Sequence, residues 1–476
     1  SIGCVCHPRQ RKAALKLVSP QEMKRMDRRA VEEGLYSSLQ LMQNAAEALY
    51  RSVSALMEER GYSRVLLLAG SGNNGGDAYA LACLLHPRYQ PSILPIEAPQ
   101  SEDCAFYAAR CKELGIPIVS DPVGFDLVVD GVFGTGLRGE LPQKVQDIFA
   151  QIDAPVVAID LPSGMCGNSG CCSQGTLHPL LTVTFAFKKP CHLLADCGKV
   201  VLADIGIPQS YAEELALQEL TPVLPKRGLW GHKNSYGAVG LSVGSAEYSG
   251  AAALAIKGAL QSGVGLIYAD VPQEIVPALA KKFYGPILKD GPCDARLVGS
   301  GLGRSTQAEE NLKARWEESI PLVIDGDGLF HLQKFLAPRS SRTVLTPHIG
   351  EFARLLGMEK ETLLQNRMAI AMDFAKKYKV ILVLKDAATL VTDGERVEIL
   401  SAPCSALGKG GSGDVLAGLI AGMLAGKGEP FDLVKTAVWL HNRAAHLAAT
   451  EHSVRTLQPE QIADYIDNAW MELEDG

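Results

Sequence analysis

Along the chain, short β-branched runs alternate with stretches whose apolar residues recur every three or four positions. Met23, Met26 and Ala30, followed by Met42, Ala45, Leu49, Val53 and Leu56, keep helical spacing from about 20 to 60. RVLLLA at 64–69 is apolar without alternation, as expected of a strand buried on both faces, and GSGNNGGD at 70–77 turns it into a helix. Further strands are expected at 92–96, 116–119, 126–130, 156–160 and 182–187, with a closing strand at 198–205. TPVLP at 221–225, with two prolines and no periodicity, reads as an extended linker. The pattern then restarts, with strands expected at 236–243, 264–269, 295–299, 321–325, 342–345, 379–384, 388–392 and 396–400. Helices are expected at 249–262, 411–426, 430–450 and 457–472. Such alternation predicts parallel sheets covered by helices, here two α/β domains at 1–220 and 226–476. The first is expected to form a Rossmann-like three-layer α/β/α sandwich.

Composition narrows the class. A length of 476 residues suits two large domains, and an apolar fraction of 47% against 21% charged excludes a disordered chain. The net charge, 46 − 53 = −7, offers no general attraction to nucleic acid or an anionic membrane, so neither is expected as a partner. The longest apolar run, 415–426, is shorter than the roughly 20 residues of a membrane span. The twelve cysteines are dispersed, and neither Cys4/Cys6 nor Cys171/Cys172 has zinc-site spacing, so reduced thiols and a cytoplasmic location are expected. Residues 1–18 carry charge and Pro8 and lack the apolar centre of a signal peptide.

Three glycine loops follow G-x-G-x-x-G, at 70–75, 134–139 and 408–413. With Glu97 placed for a ribose, the first tempts a dinucleotide-dehydrogenase reading, but a pattern met three times in one glycine-rich chain discriminates poorly. What the loops support is anion binding by backbone N–H groups at helix starts. Their surroundings say more. In the first half, Asn73, Asn74 and Asp77, then Asp130, then Asp160 and Ser163, all follow strand ends that converge on one crevice in a parallel sheet. Amide, carboxylate and hydroxyl oxygens suit an alkali or alkaline-earth cation rather than zinc. The plainer alternative is turn residues and helix caps. In the second half, Gly410–Gly413 opens a helix at whose lip stands Asp414, an anion hole beside a potential base. Lys385 and Thr389 join two strands upstream, His348 follows another, and no Walker A sequence occurs.

These motifs, in order, resemble the bifunctional NAD(P)H-hydrate repair family along essentially the whole chain. The first half is similar to its epimerase domain through residues 23–30, LMQNA at 41–45, NNGGD at 73–77, VDGVFGTG at 129–136 and DLPSG at 160–164. The second is similar to its ribokinase-like ADP/ATP-dependent dehydratase domain through GLG at 301–303, LTPHIGE at 345–351, KDAAT at 385–389 and GGSGDVLAG at 410–418. The resemblance implies metabolite repair: epimerising the R and S hydrates of NADH and NADPH, then dehydrating the S form at the expense of ADP or ATP. It implies an epimerase substrate site at Asn73, Asn74, Gly75, Gly76 and Asp77, at Gly134, Thr135, Gly136, Leu137, Arg138, Gly139 and Glu140, and at Asp160. A potassium ion would be held by Asn74, Asp130 and Ser163. In the dehydratase, the hydrate would touch Ala251, Gly303, His348 and Asp414, and the nucleotide would lie on Lys385, Asp386, Ala387, Ala388, Thr389 and Gly413, with magnesium. Asp414 and Asp160 are the expected acid/base residues, Lys188 or Lys189 the reserve candidates, and a homo-oligomer is implied. Departures from the family pattern are Gln43, Ile349 in LTPHIGE, Asp386 and Ala388 in place of two glycines, and APCSALGK at 402–409. A hydroxyl kinase for a small molecule remains the alternative, because GGSGD would serve a sugar or vitamin as well, and a turnover-less nucleotide sensor is the second.

Overall fold

The computed structural model describes residues 15–475 apart from 137, 138 and 229. The chain divides into two compact units, Lys16–Leu217 and the stretch from Gln218 onward with Leu15, so that strand Leu217–Glu219 of the second sheet begins on the last residue of the first unit. The expected linker has no regular structure yet belongs to the second unit, where Val223 N–H donates to Thr436 Oγ1 at 2.9 Å and the Thr436 hydroxyl returns a bond to Val223 O at 3.1 Å.

In the first unit six strands, β1 (Arg64–Ala69), β2 (Gln90–Pro95), β3 (Leu127–Gly131), β4 (Val156–Ile159), β5 (Leu181–Phe185) and β6 (Lys199–Ala203), form one sheet in the order β2-β1-β3-β4-β5-β6. Every adjacent pair is parallel. The stretch at 20–60 splits into two helices, Pro20–Glu32 and Ser38–Arg60. Reciprocal caps, Ser19 with Glu22 and Ser37 with Gln40, start each one separately. The run at 116–119 makes only an isolated bridge, Ile93 to Ile118, and Ile118 is exposed. Pro117 interrupts the run and has no N–H to give a ladder.

The turn after β1 is unusually tight. A Cβ at Gly75 would lie 1.9 Å from the Gly70 carbonyl oxygen, so helix Asn73–Leu85 sits against the strand end with no room for a methyl group. Gly75→Ala should therefore lower stability by about 1–3 kcal/mol, read as an earlier urea midpoint.

The second unit holds β7 (Leu217–Glu219), β8 (Ala238–Ser242), β9 (Leu266–Asp270), β10 (Ala295–Val298), β11 (Leu322–Ile324), β12 (Thr343–Leu345), β13 (Val380–Leu384), β14 (Thr389–Thr392) and β15 (Val397–Leu400). Their order is β7-β15-β14-β13-β12-β11-β10-β8-β9. Strands β8 to β13 pair in parallel, and β14 is antiparallel to both its neighbours. The edge strand β7 lacks the length or alternation that would announce it. Two small-residue helices, Ser249–Leu260 and Ser412–Leu424, touch backbone to backbone. A Cβ on Gly418 would fall 2.0 Å from Ala255 O, and one on Gly258 2.0 Å from Val415 O. The terminal helical stretch breaks into Pro459–Asp464 and Ile466–Asp475. Among the described residues no helix is long and apolar enough to cross a membrane.

Candidate active sites

In the first unit β1 lies between β2 and β3, so the chain reverses direction across the sheet at the ends of β1 and β3. A crevice is expected there. A cavity of about 890 Å³ occupies that place, lined by Asn73, Asn74 and Asp77, by Gly134, Thr135 and Gly136, and by Asp160. It also takes in Asp27 and Lys189. Asp160 follows β4 directly with φ of 64°, a left-handed conformation that Asp tolerates better than most residues and that gathers at functional sites. The turn aims its carboxylate at Lys189, whose Nζ lies 2.5 Å from Asp160 Oδ1 with the side chain 1% exposed. Thr184 Oγ1 donates to the same oxygen at 2.8 Å. His192 completes the group. Lys189 N–H donates to His192 Nδ1 at 2.9 Å, which leaves Nε2 to carry the proton and donate to Asp160 O at 2.7 Å. Burial, then Lys189, push the His192 pKa down to about 4, so the ring is neutral.

The carboxyls around this cavity are driven apart in acidity. Burial alone would lift Asp160, yet the charge and hydrogen bond of Lys189, with the Thr184 hydroxyl, hold it below the usual carboxylate range. Burial pushes Asp27 up to about 6, with Lys189 opposing and Asp160 assisting. Asp77 is raised well above its ordinary value by burial, then by Asp160 and Asp27. A site of this kind holds one ionised carboxylate beside neighbours that keep a proton.

Asp130 and Ser163 form the floor rather than the lining. Both are fully buried. The Ser163 hydroxyl donates to Asp130 Oδ1 at 2.5 Å, its N–H to Oδ2 at 2.8 Å, and Phe133 N–H donates back to Ser163 Oγ at 2.8 Å. Burial raises the Asp130 pKa against these bonds. Asn74 Nδ2 is buried with no hydrogen-bond partner among the described residues, and a Cβ on Gly134 would lie 3.1 Å from Asn74 Oδ1. Since the two amide ends exchange by a flip, the side chain can turn its oxygen to a cation. Gly75 and Gly76 are buried helix residues packed on Gly70 and Met42. Gly139 and Glu140 are exposed, and Glu140 accepts from Gln174 N–H at 3.3 Å. Leu137 and Arg138 lie outside the described residues.

In the second unit the loops after β10, β11 and β12 meet the start of helix Ser412–Leu424. Burial, then Asp325, lift the Asp414 pKa to about 7, with Ser300 and Lys385 pulling against them and Asp327 adding to the rise. Asp325 is the hub: its Oδ1 accepts from Thr346 Oγ1 at 2.7 Å and Lys385 Nζ at 3.1 Å, and its Oδ2 from Ser300 Oγ at 3.2 Å. Burial opposes the charge of Lys385, yet Asp325, Glu351 and Asp414 keep its pKa above the ordinary value. A Cβ on Gly413 would sit 2.9 Å from Lys385 Nζ, so the ammonium stands at the helix start. Gly303 N–H donates to Asp327 Oδ2 at 2.9 Å, and a Cβ on Gly301 would press on Ala251 at 2.6 Å. These contacts bring Ala251, Gly303, Lys385, Gly413 and Asp414 to one rim.

His348 serves as a cap. Its Nδ1 accepts from Gly350 and Glu351 N–H at 3.0 and 3.3 Å, with more than half of its side chain exposed beside Lys385. Asp386 pairs with Arg367 at 3.0 Å, Ala387 is exposed, Ala388 is buried and Thr389 opens β14. Sequence reasoning passed over Asp27, Thr184, His192, Ser300, Asp325 and Asp327. Asp325 and Asp327 carried a signal, two acids flanking a glycine at a strand end. Among the described residues no three His, Cys, Asp or Glu side chains group as metal ligands.

Comparison with known proteins agrees with this division. A family model described as YjeF-related protein N-terminus matches residues 38–191, and one described as NAD(P)H-hydrate dehydratase matches residues 239–468. The bifunctional NAD(P)H-hydrate repair enzyme of Moorella thermoacetica is 30% identical, with 96% of this chain and 97% of that protein covered. That of Mycobacterium tuberculosis is 34% identical over 83% of this chain and 87% of its own. Among solved structures, the ADP/ATP-dependent NAD(P)H-hydrate dehydratase of Bacillus subtilis, co-crystallised with ATP and Mg2+, is 28% identical with a TM-score of 0.48, covering 52% of this chain and 94% of its own. A ribokinase-like superfamily protein of Enterococcus faecalis, 23% identical with a TM-score of 0.50 over 54% of this chain and 96% of its own, shares the fold of the second unit. With two α/β units, a cavity at the strand tips of the first and a charged cluster around Asp414 in the second, and a relative that aligns over 96% of this chain and 97% of its own, the chain belongs to the family of bifunctional NAD(P)H-hydrate repair enzymes, joining an epimerase to a dehydratase.

Proposed function

We propose that the first cavity interconverts the R and S hydrates of NADH and NADPH, and that the Asp414 cleft dehydrates the S form with ADP or ATP. The observation that carries the second half is Asp414, a carboxyl of near-neutral pKa at a glycine-rich helix start beside Lys385. Hydroxide leaves poorly, so elimination needs activation. Asp414 takes the proton of the ring hydroxyl as its oxygen attacks the terminal phosphorus of the nucleotide, whose P–O bond to the remaining AMP or ADP breaks with its electron pair leaving on that nucleotide. The N–H groups of 410–413 and the Lys385 ammonium stabilise the charge on the moving phosphoryl group. The ester C–O bond then breaks with its electron pair leaving on inorganic phosphate, a neighbouring ring proton passes to solvent, and the C–H pair left behind forms the double bond. Magnesium travels with the nucleotide as counter-ion of its phosphates.

In the epimerase cavity Asn74, Asp130 and Ser163 would hold potassium, with Asn74 supplying its unpartnered amide. The ion would offset the charge of Asp130 and order the loop at 132–136. Exchanging potassium for choline should slow epimerisation and leave dehydration of the S hydrate unchanged, each followed separately. The whole reading is tested by incubating prepared hydrated NADH with ADP or ATP and following both hydrates by chromatography. Loss of both hydrates with return of the reduced-nicotinamide absorbance supports it. A stable phosphorylated product would mark a hydroxyl kinase instead.

A further inference from the structure

Asp27 stands inside the apolar stripe of helix Pro20–Glu32, four residues after buried Met23 and three before buried Ala30. Such a stripe normally turns only hydrocarbon to the core. Here it carries a half-buried carboxyl into the same 890 Å³ cavity that Asp160 and Lys189 line. No hydrogen bond within the described residues explains why that carboxyl should be there. Asp160, by contrast, is held by Lys189 and Thr184. The two carboxyls reach the cavity from different elements, one from a helix and one from the tip of β4.

We propose that Asp27 is a second catalytic residue of epimerisation, giving a proton to the departing ring hydroxyl while the Asp160 carboxylate takes one from the water that returns. The inference rests on the assignment of this cavity to epimerisation. Inverting the hydroxylated carbon by loss and return of water needs a proton donor for the leaving oxygen and an acceptor for the arriving one. The Asp27 carboxyl gives its proton, the C–O bond breaks, and the ring nitrogen lone pair forms an iminium bond as water is released. Water then adds to that carbon from the other face, the iminium pair returns to nitrogen, and the excess proton passes to Asp160. The reverse reaction starts with Asp160 protonated and Asp27 ionised, and solvent exchanges the two forms. No oxidant is required.

The charged groups facing Asp27 set this division. Lys24, Arg28 and Glu32 lie on its own helix, with Asp77, Asp103, Asp160 and Lys189 on the other walls. Burial outweighs the pull of Lys189 and keeps Asp27 protonated up to about pH 6. Asp160, coupled to Lys189, is ionised over the same range.

The test uses the full chain without nucleotide, so that only epimerisation proceeds. Purified R hydrate is converted by wild type, Asp27→Asn, Asp27→Glu and Asp160→Asn across about pH 5 to 8. Asp27→Asn should lower kcat about 100-fold, leave KM within about threefold, and abolish the fall in rate that wild type shows above about pH 6. Asp27→Glu should recover part of the rate with that limb displaced. The proposal is overturned if Asp27→Asn keeps a near wild-type rate and limb while Asp160→Asn is inactive. If both Asn variants stay active, the assignment of the cavity fails together with it. Should Asp27→Asn not fold, judged by its urea unfolding curve against wild type, the Asp27→Glu profile decides: a displaced limb supports Asp27 and an unmoved one excludes it.

Discussion

Asp414→Asn should reduce nucleotide-dependent dehydration about 10²–10⁴-fold while epimerisation in the same molecule continues at its wild-type rate. The amide is isosteric but cannot take the hydroxyl proton, and it removes a charge that burial and Asp325 already disfavour. Folding should therefore survive the change. The measurement is the rise in reduced-nicotinamide absorbance from S hydrate with ADP or ATP, alongside chromatographic R-to-S conversion. Because the base must be ionised, and burial sets its pKa at about 7, kcat/KM of the wild type should climb with pH through neutrality and level off above it. An unaltered dehydration rate in Asp414→Asn would sink the role given to this residue.

Lys189→Met should cost about 3–5 kcal/mol of stability and silence epimerisation. The ammonium is buried and its partner Asp160 nearly so, at 1% and 14% exposure. Removing the cation alone leaves a carboxylate enclosed among Thr184, His192 and Asp77 with no compensating charge. Asp160 would then keep a proton at neutral pH and lose the acceptor role. Lys189→Met combined with Asp160→Asn should regain much of the lost stability, since the buried charge goes as well, but none of the activity. Urea unfolding of the two single variants and the double variant gives the coupling. Strict additivity of their effects would show that the pair does not act as a unit.

Much of this was legible in the residue order. Runs such as 64–69 and 380–384 are apolar without alternation, and only strands buried on both faces read that way. Once the sheets are parallel, residues just past strand ends must gather, which is why Asn74, Asp130, Asp160 and Ser163 could be grouped before any coordinates. The run at 116–119 makes one bridge in place of the expected strand because Pro117 has no N–H for the ladder its β-branched neighbours favour. Asp27, Lys189 and His192 were harder to see. Asp27 stands on a helix ahead of the sheet, and only tertiary packing decides which cavity its face meets. Lys189 and Lys188 look alike in sequence, and the left-handed turn at Asp160 selects the first of them as its partner. His348 spends its Nδ1 on a helix start, a capping role that the family pattern alone does not show.

The bare contact between helices Ser249–Leu260 and Ser412–Leu424 has a consequence for inherited variation. Where Gly258 and Gly418 face the carbonyls of Val415 and Ala255, one added methyl must push the two rods apart. Asp414 rides on one of those rods, next to Val415 and a single turn before Gly418. An allele replacing either glycine would thus be expected to forfeit cofactor repair while every residue that meets the hydrate or the nucleotide stays unchanged. A screen confined to the cleft would score it as harmless.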